Sequence, residues 1–325
     1  MVLPTAPPPR VVPITVDTPT PPLAPPDPAS QARVLALIDH WALGAAATAG
    51  PATQKPISTA PGGAAAFQLQ GAPVLTATAG VRTVAAVLVT GPGPPARQVI
   101  NVVAAGDDLL SPTRVVWAGN GAAAAIFFTW RLAGQAVDWQ PGVLLDAQGA
   151  RRGAPLLTLG AAEDLPVWAP GGQYLAYLDA GAAGPRLAIV DGRGALRVAG
   201  PATNYECDRC WPDVHWAPAG DRLAYATRQP LPPAPGGTPG APRGQLTWRL
   251  LALDAAAGQV VFDQQGQVVE EAHVLGWRDA GQAQVVLRRP LVPADQITGP
   301  AGRWADTSYL LHLDPPPPRL ERAPP

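Results

Sequence analysis

The chain has 325 residues, a hydrophobic fraction of 47% and a formal net charge of −1. That length holds one large domain or two ordinary ones, and the apolar share suffices for a core, much of it alanine. The near-zero charge and the lack of a basic block argue against nucleic acid as a partner. No apolar run approaches the roughly 18 residues of a spanning helix, so no transmembrane segment is expected.

Proline is the compositional outlier, with 42 residues concentrated in 4–28, 230–242 and 315–325. Proline lacks an amide donor and avoids helix interiors and central strands, so these stretches read as tails or loops. Residues 1–27 form a Pro-rich extended tail. The start lacks the charged and apolar regions of a signal peptide. Its Thr/Pro texture is that of a stalk following a membrane anchor, which makes the tail a candidate tether. The expected location is extracytoplasmic or cell-surface associated.

Residues 28–62 read as a short amphipathic helix and a linker. Asp27 is the N-cap and Pro28 the first helical residue. Val34, Leu35, Ile38, Trp41 and Ala42 follow at helical spacing, on a face that should dock on the main body. The helix should end near 44–50, and residues 51–62 should link it onward.

From residue 63 to 325 the texture is short strands and turns. One phrase recurs: a tryptophan, three residues, a glycine, then an apolar strand. It stands as Trp117-Ala-Gly-Asn-Gly121, Trp168-Ala-Pro-Gly-Gly172, Trp216-Ala-Pro-Ala-Gly220 and Trp277-Arg-Asp-Ala-Gly281. A period of roughly fifty residues signals a stacked or radial architecture. The clearest unit, 165–199, holds four short strands separated by turn signals, which is one propeller blade. In each full copy the third strand ends in an aspartate: Asp146, Asp191, Asp254 and Asp314. A degenerate copy should begin at residue 73, with Thr76 in the tryptophan's place and further strands at 84–89 and 99–103. A strand at 66–70 is left over, to clasp the ring or join an irregular blade. The expected fold is all-β, a β-propeller of five or six four-stranded blades.

The repeat resembles the WD40-like (PD40) repeat of TolB-type β-propellers, in which a Trp-Ser-Pro-Asp-Gly phrase precedes a strand ending in an aromatic. Trp168-Ala-Pro-Gly-Gly172 leads to Tyr177, and Trp216-Ala-Pro-Ala-Gly220 to Tyr225. The Ser and Asp of the phrase are replaced in every copy, so the resemblance is to a divergent member. It implies architecture and no activity, because propellers host unrelated functions.

The repeated residues have structural reasons. Glycine supplies the positive φ of a tight turn. Each indole buries roughly 150–250 Å² and can wedge neighbouring blades together. An aspartate before a Gly-rich turn hydrogen-bonds its own backbone.

Catalytic signatures are scarce. None of the four serines sits in a Gly-x-Ser-x-Gly elbow, and the single lysine, Lys55, is in no phosphate-binding loop. The histidines His40, His215, His273 and His312 lack metal-site spacing, and the last three read as structural residues on strands. No cofactor is expected. Cys207 and Cys210, in Tyr205-Glu-Cys-Asp-Arg-Cys-Trp211, admit three readings: a local disulfide, a dithiol redox pair, or half a zinc site joined by His215.

In a propeller, the loops joining strands two and three and those joining blades emerge on one face. The elaborated segments 129–141, 204–212, 228–244 and 288–306 are all of these kinds, and long loops carry function. They hold Trp130, Arg131, Trp139, Tyr205, Trp211, Arg228, Arg243, Arg288, Arg303 and Trp304, of the types that dominate interface hot spots. The expected function is non-enzymatic binding of a protein or peptide partner on this face. The alternative is a glycan-binding or glycan-hydrolysing propeller, with Asp138, Glu206, Asp208 and Asp306 as its loop carboxylates.

Overall fold

The computed structural model describes residues 27–39, 43–44, 53–59, 65–70, 81–90, 97–105, 109–132, 135–137, 139–146, 150–159, 165–180, 185–202, 213–230, 246–268, 270–291 and 304–324. Helix α1 (Pro28–Asp39) comes first and ends short of the expected 44–50, because Leu43–Gly44 already pairs as a strand; Trp41 and Ala42 lie outside the described residues. The Oδ1 of Asp27 accepts from the backbone N–H groups of Ala29 at 3.1 Å and Ser30 at 3.0 Å, the expected N-cap. Val34 is fully buried.

Strands β1 (Leu43–Gly44), β2 (Thr53–Thr59), β3 (Ala65–Gln70), β4 (Val81–Thr90) and β5 (Arg97–Ala105) form an antiparallel sheet in the order β1-β5-β4-β3-β2. The expected strands at 84–89 and 99–103 are β4 and β5. The rest of this region departs from expectation. The stretch taken as a linker contains β2, and the strand taken as a leftover is β3, paired to β2 and β4. Residues 73–80 lie outside the described residues. β2 was hard to see because its sequence, TQKPIST, has a single aliphatic residue, Ile57, and a proline beside it.

The next sheet has nine strands: β6 (Leu109–Trp117), β7 (Ala123–Leu132), β8 (Gln135–Val137), β9 (Trp139–Asp146), β10 (Arg151–Leu159), β11 (Val167–Trp168), β12 (Tyr174–Asp179), β13 (Arg186–Asp191) and β14 (Leu196–Ala199). It is two meanders, β6-β7-β9-β10 and β11-β12-β13-β14, joined by one pairing of Thr158 with Asp179. Helix α1 lies against β5, β9 and β10. Two four-stranded antiparallel meanders follow. The first is β15 (Asp213–Trp216), β16 (Arg222–Pro230), β17 (Leu246–Asp254) and β18 (Gln259–Val268). The second is β19 (Glu271–Trp277), β20 (Gln282–Pro290), β21 (Trp304–His312) and β22 (Arg319–Arg322).

Consecutive meanders pack face to face, and the side-chain alternation of a strand explains how. On β12, Leu175 and Tyr177 face the preceding meander, with Phe127 and Leu144, while Ala176 and Leu178 face the following one. On β16 and β17, Leu223, Tyr225, Leu251 and Leu253 pack backward, while Ala224, Ala226, Leu250 and Ala252 pack forward against Val274, Val285 and Leu311. A sheet buried on both sides needs an unbroken apolar run, which is why RLAIVD and TWRLLALD lack polar alternation. Alanine on one of the two faces lets neighbouring sheets approach. This is a β-propeller, all-β among the described residues but for helix α1.

The recurring tryptophans tie the meanders at one end. Trp168 donates its indole N–H to the carbonyl of Val116 at 2.9 Å, Trp216 to Val167 at 3.3 Å, and Trp277 to His215 at 2.9 Å. Each acceptor stands one residue before the preceding tryptophan of the series. Trp117 is the exception: its Nε1 is buried without a hydrogen-bond partner among the described residues. Trp216 also stacks on Tyr174, with ring centroids 6.3 Å apart.

The turns after these tryptophans follow one scheme. Gly121, Gly172 and Gly220 have φ of 68°, 71° and 76°, and each N–H donates to the alanine that follows the tryptophan, at 2.8 Å. In the fourth copy Asp279 Oδ1 accepts from Gly281 N–H at 2.7 Å, and Gly281 is not among the positive-φ glycines. The terminal aspartates serve as expected in three copies. Asp146, Asp191 and Asp254 accept turn N–H groups from Ala150, Ala195 and Ala257 at 2.8, 3.0 and 2.7 Å. Asp314 differs, because the prolines after it offer no N–H; its carboxylate instead pairs with Arg222 of the preceding meander.

Candidate functional site

Strand direction divides the connections into two sets. Residues 118–122, 169–173, 217–221, 255–258 and 278–281 turn tightly at the tryptophan end. At the other end, β14 leads to β15 through 200–212, β16 to β17 through 231–245, and β20 to β21 through 291–303. The strands therefore deliver the longest connections to a common end, as expected.

At this loop end two ionic groupings join the last two meanders. Asp213 opens β15, while Glu271 and His273 lie at the start of β19. His273 Nδ1 is 2.7 Å from Asp213 Oδ2, and its Nε2 is 3.4 Å from Glu271 Oε2. Arg288, paired in register with Glu271, donates to Asp306 Oδ1 at 3.0 Å. The Asp213 hydrogen bond, aided by that of Glu271, raises the imidazole pKa to about 9. His273 is therefore an imidazolium at neutral pH with a carboxylate at each nitrogen. That fits the expected structural histidine, and it leaves no ring nitrogen free for acid–base work.

Behind this rim lies the second grouping. Glu270, 8% exposed, accepts from Trp248 Nε1 at 3.1 Å and pairs with Arg289 Nε at 2.7 Å. The Trp248 indole lies over Gly266, where a Cβ would collide with the ring. A buried carboxylate with two donors on two strands fixes how β17, β19 and β20 meet at the loop end.

The sequence expectations for this end divide into three sets. Trp130 and Trp139 are not surface platforms: they are 0% and 1% exposed. The segment 129–141 is no open loop but the tip of a hairpin, with Trp130 paired to Val137, Arg131 to Ala136 and Leu132 to Gln135. Alternating apolar residues there extend the strands and turn both indoles into the core. Arg288 and Asp306 face each other on neighbouring strands as an ion pair, not as free loop groups. The Arg288 hydrogen bond holds the Asp306 carboxyl below the usual carboxylate range, the opposite of what a general acid needs. Arg228 and Trp304 lie within β16 and β21. Tyr205, Trp211, Arg243, Arg303, Cys207, Cys210, Asp138, Glu206 and Asp208 lie outside the described residues.

Sequence reasoning passed over Asp213, Glu270 and Glu271. One signal pointed to the two glutamates: adjacent acids at 270–271 stand at the start of the strand EAHVLGW, beside His273. No helix among the described residues is long and apolar enough to cross a membrane.

No protein-family profile and no curated protein matches the sequence. Among solved structures, the chain is similar to Kuenenia stuttgartiensis hydrazine synthase at 14% identity and a TM-score of 0.37, over 86% of this chain and 70% of that one. It is similar to the β-propeller domain of the Trilobed protease from Pyrococcus furiosus at 12% identity and a TM-score of 0.38, over 67% of this chain and 57% of that one. Pyrococcus horikoshii acylaminoacyl peptidase matches at 12% identity and a TM-score of 0.38, over 62% of this chain and 30% of that one, so this chain spans less than a third of the peptidase's length.

Proposed function

We propose that this propeller is a non-enzymatic binding module that engages a protein or peptide through its loop end. The observation that carries this reading is the unequal use of the two ends. At the tryptophan end, indoles are spent on bonds to the preceding meander and Asn120 on a bond to the following one. At the loop end, the connections 200–212, 231–245 and 291–303, whose sequences hold Tyr205, Trp211, Arg243 and Arg303, join strand ends that Glu270 and His273 hold in place. Tyrosine, tryptophan and arginine on connections anchored by a stiff frame make an economical interface. The TolB-like kinship of the repeat belongs to this reading, as does a Pro-rich tail that tethers the propeller outside the cytoplasm.

Alanine replacement of Tyr205, Trp211, Arg243 and Arg303 together tests it. Retention of the partner captured by the intact chain should fall, with the melting temperature unchanged. Undiminished retention, or unfolding of the variant, overturns the assignment of the interface to this end.

A further inference from the structure

The end opposite the proposed interface carries a site of its own. A cleft of about 340 Å³ opens between the β17–β18 turn and the β21–β22 turn, at the low end of the size range of small-ligand sites. Its two walls differ from the packed sheets around it. Val260, 39% exposed, and Val261 form one side; Pro316 and Pro318 of the last meander form the other. Prolines bring no N–H groups, so this wall is apolar and donor-free.

The polar part of the lining is Arg222, Gln259 and two carboxylates, Asp254 and Asp314. Arg222 is the one cation in it, and it is claimed by carboxylates: Asp314 pairs with its Nη1, and Asp254 Oδ2 lies 3.5 Å from its Nε. Asp221, the neighbour of Arg222 in the chain and outside the lining, adds a third negative charge near its guanidinium, and its Oδ1 is buried without a hydrogen-bond partner among the described residues. Three carboxylates around one guanidinium leave an excess of two negative charges, which repels an anionic ligand. Asp254 Oδ1 is occupied by the Ala257 N–H at 2.7 Å. The Asp314 carboxylate, held by Arg222 through Nη1 on Oδ2 and Nη2 on Oδ1 at 3.4 Å, is 56% exposed beside the cleft and keeps a second acceptor lone pair on each oxygen.

We propose that this cleft binds an arginine side chain presented by a peptide. The methylene stem lies between the valine and proline walls, and the guanidinium donates to Asp314. Arginine suits the slot better than lysine, because its planar, weakly hydrated head tolerates apolar walls and bonds a carboxylate with two donors. The site is separate from the proposed loop-end interface and stands or falls apart from it.

Titration of the full chain, labelled with nitrogen-15, with N-acetyl-argininamide tests the proposal. Saturable shifts should centre on the amides of 259–261 and 313–314. The neutral isostere N-acetyl-citrullinamide should bind at least about tenfold more weakly, having lost the charge-assisted bond. Val260→Arg, at an exposed position, should abolish the shifts by placing a competing guanidinium in the slot, with the melting temperature retained. Asp314→Asn should weaken binding severalfold. Equal binding of the two probes, arginine shifts that persist in V260R, or no saturation with the arginine probe overturns it.

Discussion

The two ends of the sheets are built on different principles. At the tryptophan end, contacts between meanders recur: the same indole reaches the same carbonyl position three times, and Asn120 and Gln173 each reach the next turn, at Gly171 and at Gly220. At the loop end no contact between meanders recurs among the described residues. Glu270 with Trp248 and Arg289, and His273 with Asp213 and Glu271, occur once, between the last two meanders. Repetition marks what every blade needs in order to stack, and singular groups mark where one part of the ring has been specialised.

The largest expected effect tests whether Trp130 belongs to the packing or to the surface. Trp130→Ala should destabilise the chain by about 3–5 kcal/mol, the cost of emptying a core site of that size. A urea unfolding curve that hardly moves would return this indole to the surface. Next comes the buried carboxylate. Glu270→Ala leaves the Trp248 N–H and the Arg289 charge without their acceptor, and should cost about 2–3 kcal/mol. Glu270→Gln, which keeps an acceptor for one donor, should cost less, and equal losses would show that volume alone matters there.

The repeated indole bond can be isolated by an internal control. Trp168→Phe and Trp277→Phe remove a ring and a hydrogen bond, whereas Trp117→Phe removes a similar ring whose N–H has no partner among the described residues. The first two should therefore be more costly than the third by about 1 kcal/mol in parallel denaturant titrations. Identical costs would reduce the recurring bond to a geometric by-product of packing.

The smallest effect concerns pH. The folded-state pKa of His273, about 9, lies above the ordinary 6.5. Its ion pairs thus contribute fully below pH 6.5, and the contribution disappears as pH rises through 9. Because the imidazole is a third exposed, screening limits the contribution to about 1 kcal/mol. His273→Gln should lose most near neutrality and little at pH 10, so melting temperatures of the two proteins should converge on the alkaline side. A constant gap from pH 6 to pH 10 would remove the charge from the explanation.

Legibility in the sequence followed the same division. The Trp-to-Gly phrase and the terminal aspartates could be read because each is a local device, repeated at a period that only stacked sheets explain. Asp314 fell outside that rule for a local reason too, the prolines behind it. The His273–Asp213 contact joins residues 60 positions apart and exists only because two sheets meet, so no spacing announces it. Trp130 and Trp139 were misread because Asp138 and the Ala-Gly pair at 133–134 look like loop chemistry. The cross-strand partners Val137 and Ala136 show that the segment continues two strands. The first sheet was obscured by β2, whose single aliphatic residue, Ile57, has a proline beside it, and by the missing tryptophan of its phrase.

The indole series also sets how such a chain can change in length. Each donor meets a carbonyl one place ahead of its counterpart in the previous unit, so the three junctions that carry the bond are chemically alike. Excising or copying a whole unit would present each tryptophan with an equivalent acceptor, while a fractional insertion would leave an indole facing a side chain of the wrong kind. Growth and loss in lineages of this architecture should accordingly come in integer steps, with drift inside a unit falling mainly at the end where no bond repeats from junction to junction.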